Sequence, residues 1–338
     1  MLLPDTERAL LHRLATAQHD SRVPSIAAAV VRGGARAWAQ AIETTTDTQF
    51  RIGSLTKTFV AVLVMRLRDE ERLGLDDPLE RHLPEAQVRG VSIGQLLAHT
   101  AGLASETPAP WWERTPGDLR PQLADLVDPS PKHPPGRRFH YSNPGFALLG
   151  AVVERLRGTP LPEVLQREIL DPLEMTRTSL QPQEPHARGL AVHPWADAVM
   201  PEVVQDVGRM APAGQLWSTV QDLGRWAAFL AGDTADLLDR DTLEEMLEPH
   251  VVADLPGLPW TGAHGLGWQV WNVDGRRYAG HGGSMPGFLA GLRVDLESGD
   301  GAVVFANTTA GMRPALATEL LTAYAELEPK PVAPWHAA

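Results

Sequence analysis

Apolar residues along the first part of the chain follow two different periods. Leu10, Leu11, Leu14 and Ala15 recur at helical spacing within residues 5–18, whereas Ser25 to Arg32 is a nearly unbroken apolar run that reads as a buried strand ending at Gly33 and Gly34. A second strand is predicted over Ala35 to Ile42. Arg51-Ile52-Gly53-Ser54 then leads into a helix over Leu55 to Arg68, whose stretch Phe59 to Met65 is apolar on every face. A helix of that kind is buried all round, so its N-terminus lies inside the protein.

From Leu83 to about Val207 the pattern changes to short helical pieces, among them Ser92 to His99 and Phe146 to Arg157, separated by loops rich in proline and tryptophan. Thr107 to Lys132 is one long loop with Trp111, Trp112 and several prolines, and an ordered loop of that length more often walls a site than merely connects elements. Near Thr219 a helix begins with a capping pattern to Asp222 and buries Leu223, Trp226 and Leu230. Strand signals return at Gly267 to Asn272, Gly287 to Val294 and Gly301 to Asn307, the last two joined as a hairpin through Glu297 to Asp300. A final helix is expected from Arg313 to Leu327, and a disordered tail from Lys330. These elements predict an α+β fold, an antiparallel β-sheet flanked by helices with an inserted, mostly helical lobe. Residues 1–82 and 208–328 are expected to form the α/β lobe of a single catalytic domain, residues 83–207 the insert, and 329–338 a flexible tail.

Composition narrows the function classes. The chain has 338 residues, 43% hydrophobic and 21% charged, with no apolar run approaching the roughly 20 residues that span a bilayer. A formal net charge of −12 repels phosphate backbones, so no nucleic-acid partner is expected. With no cysteine there is no disulfide, no thiolate nucleophile and no cysteine-ligated metal. The first residues carry no signal-peptide pattern, and together these features suggest a cytoplasmic protein without a membrane partner. Only Lys57, Lys132 and Lys330 are lysines, against 30 basic residues in all, so a lysine in the most apolar helix stands out.

Ser54 and Lys57 are three residues apart at the start of that helix and so share a face. A buried lysine loses hydration of its charged form, its pKa falls, and the neutral amine can take the serine proton, which arginine cannot do. Alone, Ser-x-x-Lys also occurs in helices with no catalytic role. Tyr141-Ser142-Asn143 sits between a turn and an apolar helix. Its tyrosine can point a hydroxyl into a cleft where nearby positive charge lowers its pKa, or it can be a core tyrosine beside an Asx turn. Asn143 offers both a donor and an acceptor for a substrate amide. His281-Gly282-Gly283-Ser284 places glycines where a ligand could approach the backbone and its N–H groups could serve an oxyanion, or it is a glycine-rich turn with a solvated histidine.

Taken together and in this order, the three motifs resemble the serine β-lactamase and penicillin-binding-protein superfamily, in the branch of AmpC-type β-lactamases, DD-peptidases, D-aminopeptidases and related esterases. The resemblance covers most of residues 20–310. Leu96-Leu97-Ala98-His99-Thr100-Ala101-Gly102-Leu103 is similar to a family stretch in which serine usually stands at the place of Ala101, and Leu173 to Thr178 and Pro212 to Thr219 resemble two further signatures. The resemblance implies a β-lactamase/transpeptidase-like fold and no cofactor. It makes Ser54 the acylated nucleophile, Lys57 its proton partner, and Tyr141 the base and shuttle. Asn143 would hold the substrate carbonyl or amide, and the N–H groups of Ser54 and Ser284 would form the oxyanion hole, beside Gly282 and Gly283.

His281 stands where relatives often hold the lysine of a Lys-Thr-Gly triplet, and Gly282 replaces its threonine. That departure points away from antibiotic hydrolysis and toward an esterase or a D-amino-acid peptidase or amidase, with a true β-lactamase or DD-carboxypeptidase as the alternative. The expected partner is a small-molecule ester, amide or β-lactam, and no feature of the sequence sets an oligomeric state. A penicillin-binding sensor that acylates without turnover is disfavoured by the presence of Tyr141. A metallohydrolase is disfavoured because His99, His133, His140 and His281 lack ligand spacing, so no metal is expected.

Overall fold

The computed structural model describes residues 2–33, 35–128, 130–193, 195–196, 198–253, 261–313 and 315–328. The tail for which the sequence predicts no order lies outside the described residues. An eight-stranded antiparallel sheet organises the chain. Strands β1 (Ile26–Arg32) and β2 (Ala35–Ile42) form its first hairpin. The other six come from the C-terminal part: β3 (Val251–Val252), β4 (Gly262–His264), β5 (Gln269–Val273), β6 (Arg276–Met285), β7 (Phe288–Asp295) and β8 (Gly301–Ala306). The spatial order is β2-β1-β8-β7-β6-β5-β4-β3, so the two ends of the chain meet where β1 pairs with β8, from Ile26 opposite Ala306 to Val31 opposite Gly301.

Helices cover both faces, which is why β1 is apolar without alternation. Helices α1 (Pro4–Asp20) and α5 (Leu316–Leu327) bury Leu10, Leu14, Leu320 and Tyr324 against one face. Helices α2 (Thr56–Asp69), α3 (Asn143–Arg157) and α4 (Val220–Leu230) build the larger core on the other. Every residue of α2 from Thr56 to Met65 is buried, as its all-round apolar pattern predicts. Trp226 of α4 stacks on Phe59 at 4.0 Å between ring centroids and donates its indole N–H to Thr58 Oγ1 at 2.9 Å, so the first turn of α2 is held from the side. Thr219 caps α4 as expected, its Oγ1 accepting from the Asp222 N–H at 3.2 Å.

Two differences from the sequence reading matter for the site. Helix α3 starts at Asn143 rather than Phe146, because the Ser142 hydroxyl accepts the Gly145 N–H at 3.1 Å and Pro144 is tolerated in a first turn. The His281 motif lies inside β6, a ten-residue strand that hydropathy does not reveal because Gly280, Gly282 and Gly283 depress its strand propensity. Among the described residues no helix is long and apolar enough to cross a membrane.

Candidate active site

Ser54 sits in the single 3-10 turn Gly53–Leu55 that feeds α2. The turn lies against the free edge of β6, since β5 pairs with β6 only from Arg276 to Gly280. Contact there is so close that only glycine fits. Gly53 has φ of +53°, and a Cβ on it would stand 2.6 Å from the Ser284 nitrogen, while a Cβ on Gly283 would stand 1.9 Å from the Ile52 carbonyl oxygen. Ser54 is thereby held beside the Ser284 backbone.

Lys57 lies one turn beyond Ser54, in the first turn of α2, fully buried. Its Nζ donates to Ser54 Oγ at 2.9 Å and to the Ala213 carbonyl oxygen at 2.6 Å. Burial pulls its pKa down to about 7, against the opposing pull of the Glu106 and Glu113 carboxylates. The amine is therefore poised to be neutral near physiological pH. Tyr141 and Ser54 share a hydrogen bond between their side chains, and Lys57 Nζ stands 5.0 Å from the centroid of the tyrosine ring. The expectation that positive charge lowers the Tyr141 pKa is not met. Burial, with Glu106 and Glu113 adding to it, pushes the phenol well above its ordinary value, so the hydroxyl keeps its proton near neutral pH.

Asn143 is buried, with its Nδ2 donating to Glu106 Oε1 at 3.0 Å, and Trp112 Nε1 donates to Glu106 Oε2 at 2.6 Å. The Trp-rich loop thus walls the site. It also brings up Glu113, whose carboxyl is raised to about 7 by burial and by neighbouring Glu106. Neither carboxylate stands out in the sequence, and only the tryptophans beside them gave a signal.

His281 points from β6 toward α2 and is buried, its Nδ1 donating to the Gly282 carbonyl oxygen at 2.5 Å, so the other nitrogen is left as an acceptor in the neutral ring. Burial lowers its pKa to about 3. At that value the ring is neutral near pH 7 and carries no lysine-like charge. The limb of the pH–rate profile near neutrality should keep its position in His281→Asn even if the rate falls, and a shift of that limb by a unit or more would contradict the assignment. Two further imidazoles back the site. His99 stacks on Tyr141 at 4.2 Å and accepts the Ser142 N–H at 3.1 Å, and His264 lies edge-on to His99 at 5.3 Å. Among the described residues no group of three His, Asp or Glu side chains is arranged to hold a metal ion.

Ser54, Tyr141, His281, Gly282, Gly283 and Ser284 line one cleft of about 490 Å³. The family model described as Beta-lactamase matches residues 9–326. The chain belongs to the Beta-lactamase family. It is 28% identical over 219 residues to Beta-lactamase-like protein 2 of Dictyostelium discoideum, a match covering 61% of this chain and 40% of that protein. It is 29% identical over 301 residues to penicillin-binding protein 4 of Amycolatopsis lactamdurans, covering 82% and 77%. Among solved structures, a D-stereospecific amidohydrolase from Streptomyces superposes with a TM-score of 0.79 at 26% identity, covering 97% of this chain and 99% of that one. The fold is thus the β-lactamase/transpeptidase-like one. The chain spans less than half the length of the Dictyostelium relative.

Proposed function

We propose that this member of the family is a serine hydrolase that cleaves an amide or ester through an acyl-enzyme on Ser54. The observation that carries the reading is the 2.9 Å contact between Ser54 Oγ and a fully buried lysine amine whose pKa falls to about 7. Neutral Lys57 takes the hydroxyl proton as Oγ attacks the scissile carbonyl. The developing oxyanion is met by the N–H groups of Ser54 and Ser284 and by the start of α2. Tyr141 passes its proton to the leaving nitrogen or oxygen and recovers one from Lys57, and the same path run backward lets water release the acyl group.

The D-stereospecific amidohydrolase likeness and the neutral His281 both favour an amide- or ester-cleaving enzyme over a β-lactamase or DD-carboxypeptidase. Intact-mass analysis after treatment with a fluorophosphonate should show one adduct, mapped to Ser54 by peptide sequencing. An adduct elsewhere, or none, would remove the assignment. Tyr141→Phe keeps the ring against His99 and deletes only the hydroxyl, so leaving-group protonation should suffer most. The expected loss is about 10²-fold for anilides and less for esters with acidic leaving groups. Rates unchanged from the parent on both substrate types would return Tyr141 to a packing role.

A further inference from the structure

The cleft does not stop at Ser54. It continues around the open edge of β6 onto the opposite face of the sheet, where its floor is Gly282 and Gly291, directly paired across β6 and β7. A Cβ on Gly282 would meet nothing within 4 Å, and one on Gly291 only Ala317 Cβ at 3.9 Å, so the floor is bare backbone. Leu316 and Ala317 of α5 form one wall and Trp271 of β5 another.

Arg293 stands at the end of this groove. It pairs with Gly280 across the strands, on the same face as Gly282 and Gly291. Its guanidinium carbon lies 3.2 Å from the centre of the Trp271 ring, and Nε donates to Thr318 Oγ1 at 3.3 Å. Nη1 is buried with no hydrogen-bond partner, and no carboxylate pairs with the group among the described residues. Arg313, at the same mouth, is already committed to Glu319 at 2.9 Å. A half-buried cation without an anion is costly to keep in a folded protein, and a stacked guanidinium is pre-set for planar anions. Its pKa, lowered by burial to about 10, leaves it charged at neutral pH. The neutral His281 creates the complementary need, because any carboxylate on the substrate must be met elsewhere.

We infer that the groove over Gly282 and Gly291 is a subsite for a carboxylate on the substrate, with Arg293 as the residue that binds it. This rests on the reading of Ser54 as the nucleophile. Gly280, opposite Arg293, is four strand positions from Ser284, roughly 13 Å at about 3.3 Å per residue, and the arginine side chain shortens the gap. The preferred substrates therefore carry their carboxylate two to three residue lengths from the scissile carbonyl.

The test compares binding of suberic acid monoanilide with that of its methyl ester by calorimetry, with every protein carrying Ser54→Ala so that neither ligand is turned over. The acid should bind at least tenfold more tightly, with the advantage shrinking in high salt. It should fall to within twofold in Arg293→Gln and recover in part in Arg293→Lys. Gly291→Ala raises the groove floor at a position where the new methyl meets only Ala317, so it keeps the fold and should also reduce the advantage should Arg293→Gln fail to melt cooperatively. Equal binding of acid and ester by the Ser54→Ala protein, or an unchanged advantage when the folded groove variants are added to it, overturns the subsite. Fluorophosphonate labelling of the parent at Ser54 is read separately. Labelling with equal binding sinks only the subsite, whereas a tenfold advantage without labelling sinks only the nucleophile.

Discussion

Ser54→Ala is expected to lower kcat/KM by at least about 10³-fold and to abolish fluorophosphonate labelling, with the melting transition within a few degrees of the parent. Removing one member of a nucleophile–base unit removes the function of the whole unit, and what survives comes from oxyanion stabilisation and binding alone. Structure is spared for an identifiable reason. Ser54 is part-exposed, and its hydroxyl is not a helix cap, since the turn enters α2 with no side-chain capping bond at Leu55. Lys57 keeps the Ala213 carbonyl as an acceptor at 2.6 Å. The variant thus separates chemistry from fold. Residual activity within tenfold of the parent on amide substrates would mean that another group attacks the carbonyl.

Which parts of this site were legible in the sequence follows from what each part depends on. Ser54 and Lys57 were readable because their partnership is local, three residues on one helix, and because the helix around them advertises burial by being apolar on all sides. Tyr141 was readable as a candidate, but its electrostatics were not. The sign of its pKa shift depends on how completely tertiary packing removes water and on Glu106 and Glu113, which arrive from a separate loop. The charge of His281 was out of reach for the same reason, since a motif gives a residue type and a position but not the burial that brings its pKa to about 3. Strand β6 escaped because glycines chosen for close approach, as at Gly283 against Ile52, are also the residues that erase a strand pattern. Arg293 had no signal of its own beyond lying within the predicted strand Gly287 to Val294. Its missing counter-ion is a property of three elements, β5, β7 and α5, that meet only in the fold.

Lys57→Met should remove activity and change how stability depends on pH, which ties the function of this lysine to its cost. Burial takes its pKa from 10.5 to about 7, and at about 1.4 kcal/mol per unit the folded state forgoes roughly 5 kcal/mol of protonation free energy that the unfolded chain gains. Because the folded pKa lies below the unfolded one, the unfolded chain binds a proton as pH falls below about 10.5 while the folded chain waits until about 7. Parent stability, compared with that of Lys57→Met, should therefore decline by about 1.4 kcal/mol per unit between pH 10 and 7 and level off below. Methionine fills similar space with an apolar chain and leaves the Ala213 carbonyl without its donor, a penalty of about 1–3 kcal/mol that is the same at every pH and cannot alter the slope. Denaturant unfolding of both proteins from pH 6 to 10 checks this. Parallel curves would mean that Lys57 stays protonated in the folded protein throughout, and kcat/KM of the parent would then show no rise through pH 7. If instead the stability difference bends at the pH where the rate rises, one titration accounts for both, and the proton whose absence lets Lys57 act as base is the one whose exclusion weakens the fold.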